Sequence, residues 1–123
     1  MNEPPADDSE SNFTSLTTII RFFAQARDWE QFHTPKNLAM AIAGEAGELV
    51  AEFQWLTPHN SEKEALSAEK LHSVSLEIAD IQIYLLRLAD VLGIDIPAAV
   101  REKIVINEAR FPTRAPQPPE SLG

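Results

Sequence analysis

Apolar residues recur three and four apart through most of the chain, and no run of β-branched residues alternates as a strand would, so the pattern predicts an all-α protein. Leu16, Ile19, Ile20 and Phe23 define a first helix over about 14–27. It gives way to an aromatic connector, Asp28-Trp29-Glu30-Gln31-Phe32-His33. Thr34 followed by Pro35 reads as an N-cap and first helical position, opening a second helix that continues to about Trp55. The stretch Thr57 to Asn60 breaks it. Ser61 and Glu64 have capping-box spacing and predict a short helix through the polar segment to Lys70. The third long helix, about 71–92, has the strongest pattern. Leu71, Val74, Ile78, Ile81, Leu85, Leu88 and Leu92 form a seam of heptad type, and Gly93 is its natural stop. After Asp95 and Pro97 a fourth helix runs to about Arg110, and Pro112 closes the domain.

Short connections favour antiparallel neighbours, so the expected architecture is an antiparallel helical bundle of four main helices. The third helix also carries Leu76, Ala79, Ile83 and Leu86 outside its seam. A helix apolar around most of its circumference must be covered on more than one side. Four short helices cannot easily do this alone, which predicts completion of the bundle by homo-oligomerisation. Residues 1–12, with two prolines and Glu3, Asp7, Asp8 and Glu10, read as a disordered acidic tail. Residues 113–123, with Pro116, Pro118 and Pro119, read as a disordered Pro-rich tail, leaving one domain at 13–112.

Composition narrows the function classes. A chain of 123 residues with 44% hydrophobic positions is a single globular domain by size. No apolar run approaches the roughly 20 residues that span a bilayer, and the acidic amino terminus is unlike a signal peptide. Zero cysteines exclude disulfides, thiolate metal sites and a cysteine nucleophile, and suit a reducing cytoplasm. The net charge of -9 would repel a phosphate backbone, so neither nucleic acid nor a membrane is an expected partner. A free nucleotide is different, because it arrives with its own metal.

Four acids account for most of the charge excess of residues 13–112. Glu45 and Glu48 lie at i and i+3 on the second helix, with Glu52 at i+7, and therefore share one face. Glu77 and Asp80 lie at i and i+3 on the third, with Tyr84 one turn further along the same stripe. Each set borders an apolar seam, Leu38, Ile42, Leu49 and Phe53 on one helix and the heptad positions on the other. If the seams pack antiparallel, the acids meet. Facing carboxylates about 4 Å apart repel by roughly 4 kcal/mol per pair at an effective dielectric near 20. A divalent cation removes that conflict. An oxygen-only donor set with three scattered histidines favours Mg2+ over zinc. Acids at such intervals are commonly just a solvated helix face, but Glu45, Glu48 and Glu77 have no cationic partner at i+4. Gly44 and Gly47, each costing about 1 kcal/mol against Ala, also leave room for close approach beside them.

The segment Gly44-Glu45-Ala46-Gly47-Glu48-Leu49 followed by Glu77-Ile78-Ala79-Asp80 resembles the E-x-x-E…E-x-x-D signature of the all-α nucleoside triphosphate pyrophosphatases of the MazG-like superfamily. Arg27 to His33, Pro35-Lys36-Asn37-Leu38, Phe53-Gln54-Trp55 and Arg110-Phe111-Pro112 resemble its dCTP pyrophosphatase branch. The resemblance implies a homo-oligomer, often a tetramer of paired dimers, that cleaves between the α- and β-phosphates of a nucleoside triphosphate in nucleotide-pool sanitation. It makes Glu45, Glu48, Glu77 and Asp80 the magnesium ligands. Trp29, Trp55 and Tyr84 match residues of the base pocket, and Lys103 and Asn107 fall where the family contacts phosphate. Ile20 stands where the animal enzymes of this branch carry a base-site histidine.

Read from the residues alone, two tryptophans in so small a domain are core candidates, yet both lie at helix–loop junctions where an indole can stack on a base. His33 reads as a local hydrogen-bonding residue, and Lys36, Lys103 and Arg110 as solvated helix charges. The expected reaction is metal-assisted hydrolysis with Glu45 or Glu48 taking the proton of the attacking water. A phosphohydrolase of broad specificity that releases orthophosphate, and a non-enzymatic helical oligomerisation module, are the rival readings.

Overall fold

The computed structural model describes residues 8–114. Four α-helices follow in order: α1 Asp8–Ala26, α2 Pro35–Phe53, α3 Ala68–Leu92 and α4 Ile96–Arg110. No strand occurs among the described residues. The all-α class is thus as the periodicity predicts. Among the described residues no helix is long and apolar enough to cross a membrane. The remainders of the two terminal tails, 1–7 and 115–123, lie outside the described residues, while α1 begins at Asp8, earlier than its apolar pattern indicates.

Local chemistry fixes the helix ends. The Thr34 hydroxyl accepts from the Asn37 N–H at 3.2 Å, with Pro35 in the first turn of α2. Ser67 accepts from Lys70 N–H at 3.0 Å and Asp95 from Ala98 N–H at 3.0 Å, capping α3 and α4. Gly93 ends α3 in the left-handed region at φ 71°, and Ile94 N–H returns to the Ala89 carbonyl at 2.8 Å. The same reversal closes α1. There Asp28 takes φ 58° and Trp29 N–H reaches the Ala24 carbonyl at 2.9 Å. An aspartate tolerates this conformation better than most residues.

The expected helix at 61–70 does not form. Two single 3-10 turns, His59–Ser61 and Lys63–Ala65, occupy the segment, because Glu62 and Leu66 are extended with ψ 151° and 140°. Ser61 does not cap a helix; its hydroxyl donates to the Pro58 carbonyl at 2.7 Å. The cap lies six residues later at Ser67, so α3 starts at Ala68, ahead of the expected 71.

Cross-helix pairs give the register. His33 meets Arg87 before α2 starts, and Glu52 near its end meets Lys70 in the first turn of α3, so α2 runs antiparallel to α3. Arg21 of α1 meets Asp90, so α1 covers the far end of α3 beyond α2. Ala24, Leu38, Val74, Leu86 and Ala89 are the buried apolar residues. α4 makes only slight contact with the other helices, and its Val100, Ile104 and Val105 are about half exposed or more.

The α2 seam is covered as expected, but that of α3 is rotated. Val74, Glu77, Ile81, Tyr84 and Leu88 are the covered row, whereas Leu71, Ile78, Leu85 and Leu92 of the heptad pattern are exposed. The covered face is shifted by roughly one position, so that an acid and a tyrosine join Val74, Ile81 and Leu88 on it and other aliphatic residues are left outside. This rotation puts Glu77 inside the site rather than beside it.

Candidate functional site

The sequence brings acids to the middle of α2 and α3, and the antiparallel register brings them face to face. Carboxylate oxygens of Glu45, Glu77 and Asp80 all lie within 4.8 Å of one another. Glu45 and Glu77 are half-buried and Asp80 is exposed. An octahedral cation with bonds of about 2.1 Å spans about 4.2 Å between opposite ligands. Small side-chain rotations therefore bring the three oxygens onto one ion. Glu48, one turn from Glu45, is exposed and outside this trio, but its charge is felt at Glu77.

Glu77 records the strain of the arrangement. Its pKa is raised first by loss of hydration and then by the charges of Glu48, Asp80, Glu45 and Glu52. Glu52 itself accepts from Lys70 Nζ at 3.0 Å. An all-oxygen cluster of facing carboxylates fits a hard divalent cation such as magnesium. A soft thiolate-binding metal finds no donor here.

Aromatic residues sit at both ends of α2. Trp29 is 43% exposed, edge-on to Phe23 at 5.6 Å and to His33 at 6.2 Å between ring centroids. Trp55, just past the helix, is 87% exposed. Neither indole is a core residue. Tyr84 is half-buried on α3, one turn beyond Asp80, and Ile20 is half-buried on α1. Lys103 and Asn107 are on α4, exposed and half-buried respectively, and no hydrogen bond or ion pair among the described residues links either side chain to the acids.

One group of residues escapes the sequence reading. Arg87 is only 6% exposed, and its Nε donates to His33 Nδ1 at 3.0 Å while Nη1 donates to Asp90 Oδ2 at 3.0 Å. Glu30 lies 3.9 Å from Nη2. Arg21 grips the same Asp90 through two bonds of 2.8 and 2.7 Å. These bonds hold the Asp90 carboxyl below the usual carboxylate range, the Arg21 hydrogen bond contributing most. Burial, then the Arg87 charge, lowers the pKa of His33 against an opposing pull from Glu30. The available signal was a lone arginine inside the run Leu85 to Ala89 with an acid three residues on. His33 is a hydrogen-bonding residue as expected, but its partner is 54 positions away rather than local.

Comparison with known proteins places the chain among relatives of shared sequence and fold. The model of the MazG-like family matches residues 40–116, a span that includes Glu45, Glu48, Glu77 and Asp80. Human dCTP pyrophosphatase 1 is 43% identical over 103 residues, 84% of this chain and 61% of that protein. The chain therefore spans less than two thirds of that relative's length. The dATP/dGTP diphosphohydrolase of cyanophage S-2L is 35% identical, over 55% of this chain and 78% of the phage protein. A solved pyrophosphatase from Archaeoglobus fulgidus superposes with a TM-score of 0.76 at 37% identity, covering 92% of this chain and 99% of that one.

Proposed function

The chain belongs to the MazG-like family, and from that premise we propose that it is a magnesium-dependent nucleoside triphosphate pyrophosphohydrolase. It releases a nucleoside monophosphate and pyrophosphate, with dCTP or a 5-modified dCTP as its preferred substrate, and acts in the cytoplasm on the nucleotide pool. The observation that carries this reading is the convergence of Glu45, Glu77 and Asp80 from two antiparallel helices. The names of the human and phage relatives, dCTP pyrophosphatase 1 and dATP/dGTP diphosphohydrolase, support hydrolysis of a deoxynucleoside triphosphate with a base that varies among relatives.

When bound, magnesium supplies neutralisation of phosphate charge and a Lewis-acid contact. Glu45, Glu48, Glu77 and Asp80 would hold it. Whichever of Glu45 and Glu48 lies nearer the water attacking the α-phosphorus would take its proton. Trp29 and Tyr84 flank the base, Trp55 closes on it, and Lys103 and Asn107 contact phosphate.

Those roles require more than one chain. Trp29 and Trp55 flank the 19 residues of α2, about 28 Å of helix at 1.5 Å per residue. One base cannot touch both indoles of one chain. This separation, the exposed Ile78, Leu85 and Leu92, and the half-exposed apolar residues of α4 support a homo-oligomer, a dimer or a tetramer of paired dimers.

The deciding experiment is turnover of natural and 5-modified nucleotides with separate detection of pyrophosphate and orthophosphate, with and without Mg2+. Pyrophosphate release, fastest with dCTP analogues and lost in EDTA, is the expected result. Orthophosphate alone would favour the phosphohydrolase reading. No turnover, with no rise in Tm from Mg2+ and a non-hydrolysable nucleotide, would leave the oligomerisation module.

A further inference from the structure

Arg87 continues the acid stripe of α3. Glu77, Asp80, Tyr84 and Arg87 follow at i, i+3, i+7 and i+10, so at 100° per residue all four lie within an arc of about 80°. Arg87 is seven residues beyond Asp80, roughly 10 Å along the axis at 1.5 Å per residue. Where the acids meet α2 at one level of the stripe, Arg87 meets the aromatic connector at the next.

A buried arginine is a poor way to add stability. Well-packed apolar residues of similar volume commonly match or exceed a buried ion pair, and the neighbours Leu86 and Ala89 are apolar and buried. What an apolar side chain cannot supply is direction. The planar guanidinium donates to His33, to Asp90 and toward Glu30 from three nitrogens at once. Asp90 is fixed in turn by Arg21, and Glu30 accepts from Gln25 Nε2 at 3.2 Å. Two of the three attachments lead to one segment: Glu30 begins the 3-10 turn Glu30–Phe32, His33 follows it, and Trp29 packs edge-on to His33. His33 accepts through Nδ1, so its proton is on Nε2.

We propose that Arg87 and His33 are positioning residues for the Trp29 wall of the nucleotide pocket, setting the indole at a fixed height above the acids on the same stripe of α3. The inference rests on the nucleotide-hydrolase reading for the meaning of that wall. Neither residue touches the metal or the reacting atoms. Loss of the Arg87–His33 bond therefore weakens substrate binding while leaving metal use and the chemical step in place.

The test uses the full chain with Arg87→Leu, Arg87→Lys, His33→Ala and His33→Asn. Asparagine retains an acceptor oxygen near the position of Nδ1, and lysine retains charge without the fork. In Arg87→Leu, Arg87→Lys and His33→Ala the KM for the best nucleotide should rise about tenfold, with kcat and the Mg2+ half-saturation within threefold of wild type. His33→Asn should restore KM to within threefold. Trp29 emission, read in a Trp55→Phe background, should shift to the red and become more open to acrylamide in the three impaired variants, but not in His33→Asn. An unchanged KM and unchanged Trp29 emission in folded variants would overturn the inference, as would a His33→Asn protein as impaired as His33→Ala. The emission arm stands even if the wild-type chain turns over no nucleotide, an outcome that would instead sink the hydrolase reading.

Discussion

Lys70 Nζ lies 3.0 Å from Glu52 Oε1, which pairs the last acid of the α2 row with a cation. Glu45, Glu48 and Glu52 share a helix face, yet only the last is answered by a cation. A half-exposed pair of this kind is worth about 0–1 kcal/mol. Glu52→Gln should therefore lower Tm slightly and leave the Mg2+-induced rise in Tm within twofold of wild type. Glu45→Gln should abolish that rise. Equal loss in both variants, measured by thermal melts across a Mg2+ titration, would show that Glu52 is also a ligand.

Glu77 gives a prediction with opposite signs for the two states of the protein. Its raised pKa means the folded chain binds a proton more readily than the unfolded one. Without metal this group's stabilising effect is present at low pH and lost as pH rises through the folded value. Glu77→Gln should thus raise the Tm of the metal-free protein at pH 7 and flatten its decline as pH rises past the ordinary carboxylate range. The same change should remove most of the Mg2+-induced stabilisation and all turnover.

Asp90 behaves in the reverse sense. Its pKa is depressed by Arg21 and Arg87, so its contribution is present above the ordinary aspartate value, near 3.9, and lost as pH falls through the lower folded value. Asp90→Asn leaves the buried Arg87 without its closest anion. The expected cost at pH 7 is on the order of 2 kcal/mol, below the 3–5 typical of a fully buried pair because Arg21 is 40% exposed. Urea melts at pH 7 and pH 3 should show the difference between variant and wild type shrinking with acid.

Leu38, 1% exposed in the first turns of α2, tests the α2–α3 packing without touching a charge. Leu38→Ala should cost about 3 kcal/mol. Because that packing sets the distance between Glu45 and the acids of α3, the variant should also need more Mg2+ for half-maximal activity. An unchanged Mg2+ requirement would separate the site from the core.

The four-helix content, the caps at Thr34 and Gly93, and the acids Glu45, Glu77 and Asp80 that converge across two helices were legible in the chain because each rests on local spacing, whereas Glu48 stays outside that trio. The capping-box reading of Ser61 failed for a local reason too, since the extended backbone at Glu62 and Leu66 leaves no helix to cap. The heptad seam of α3 misled for a different reason. Periodicity reports which positions of a helix are apolar, not which of several apolar faces meets a neighbour. Leu85 and Ile78 belong to the best repeat, yet Glu77 and Tyr84 enter the interface.

Sequence by itself determined an all-α chain with a pair of acidic helix faces, because helix period and carboxylate spacing are properties of a single segment. Tertiary structure decided the rest. It chose the rotation of α3 that half-buries Glu77, assigned Lys70 to Glu52, and joined Arg21, His33, Arg87 and Asp90 across three segments. Such contacts link residues up to 69 positions apart. No short-range pattern encodes them, since they form only when helices with their own local reasons to exist settle into one register.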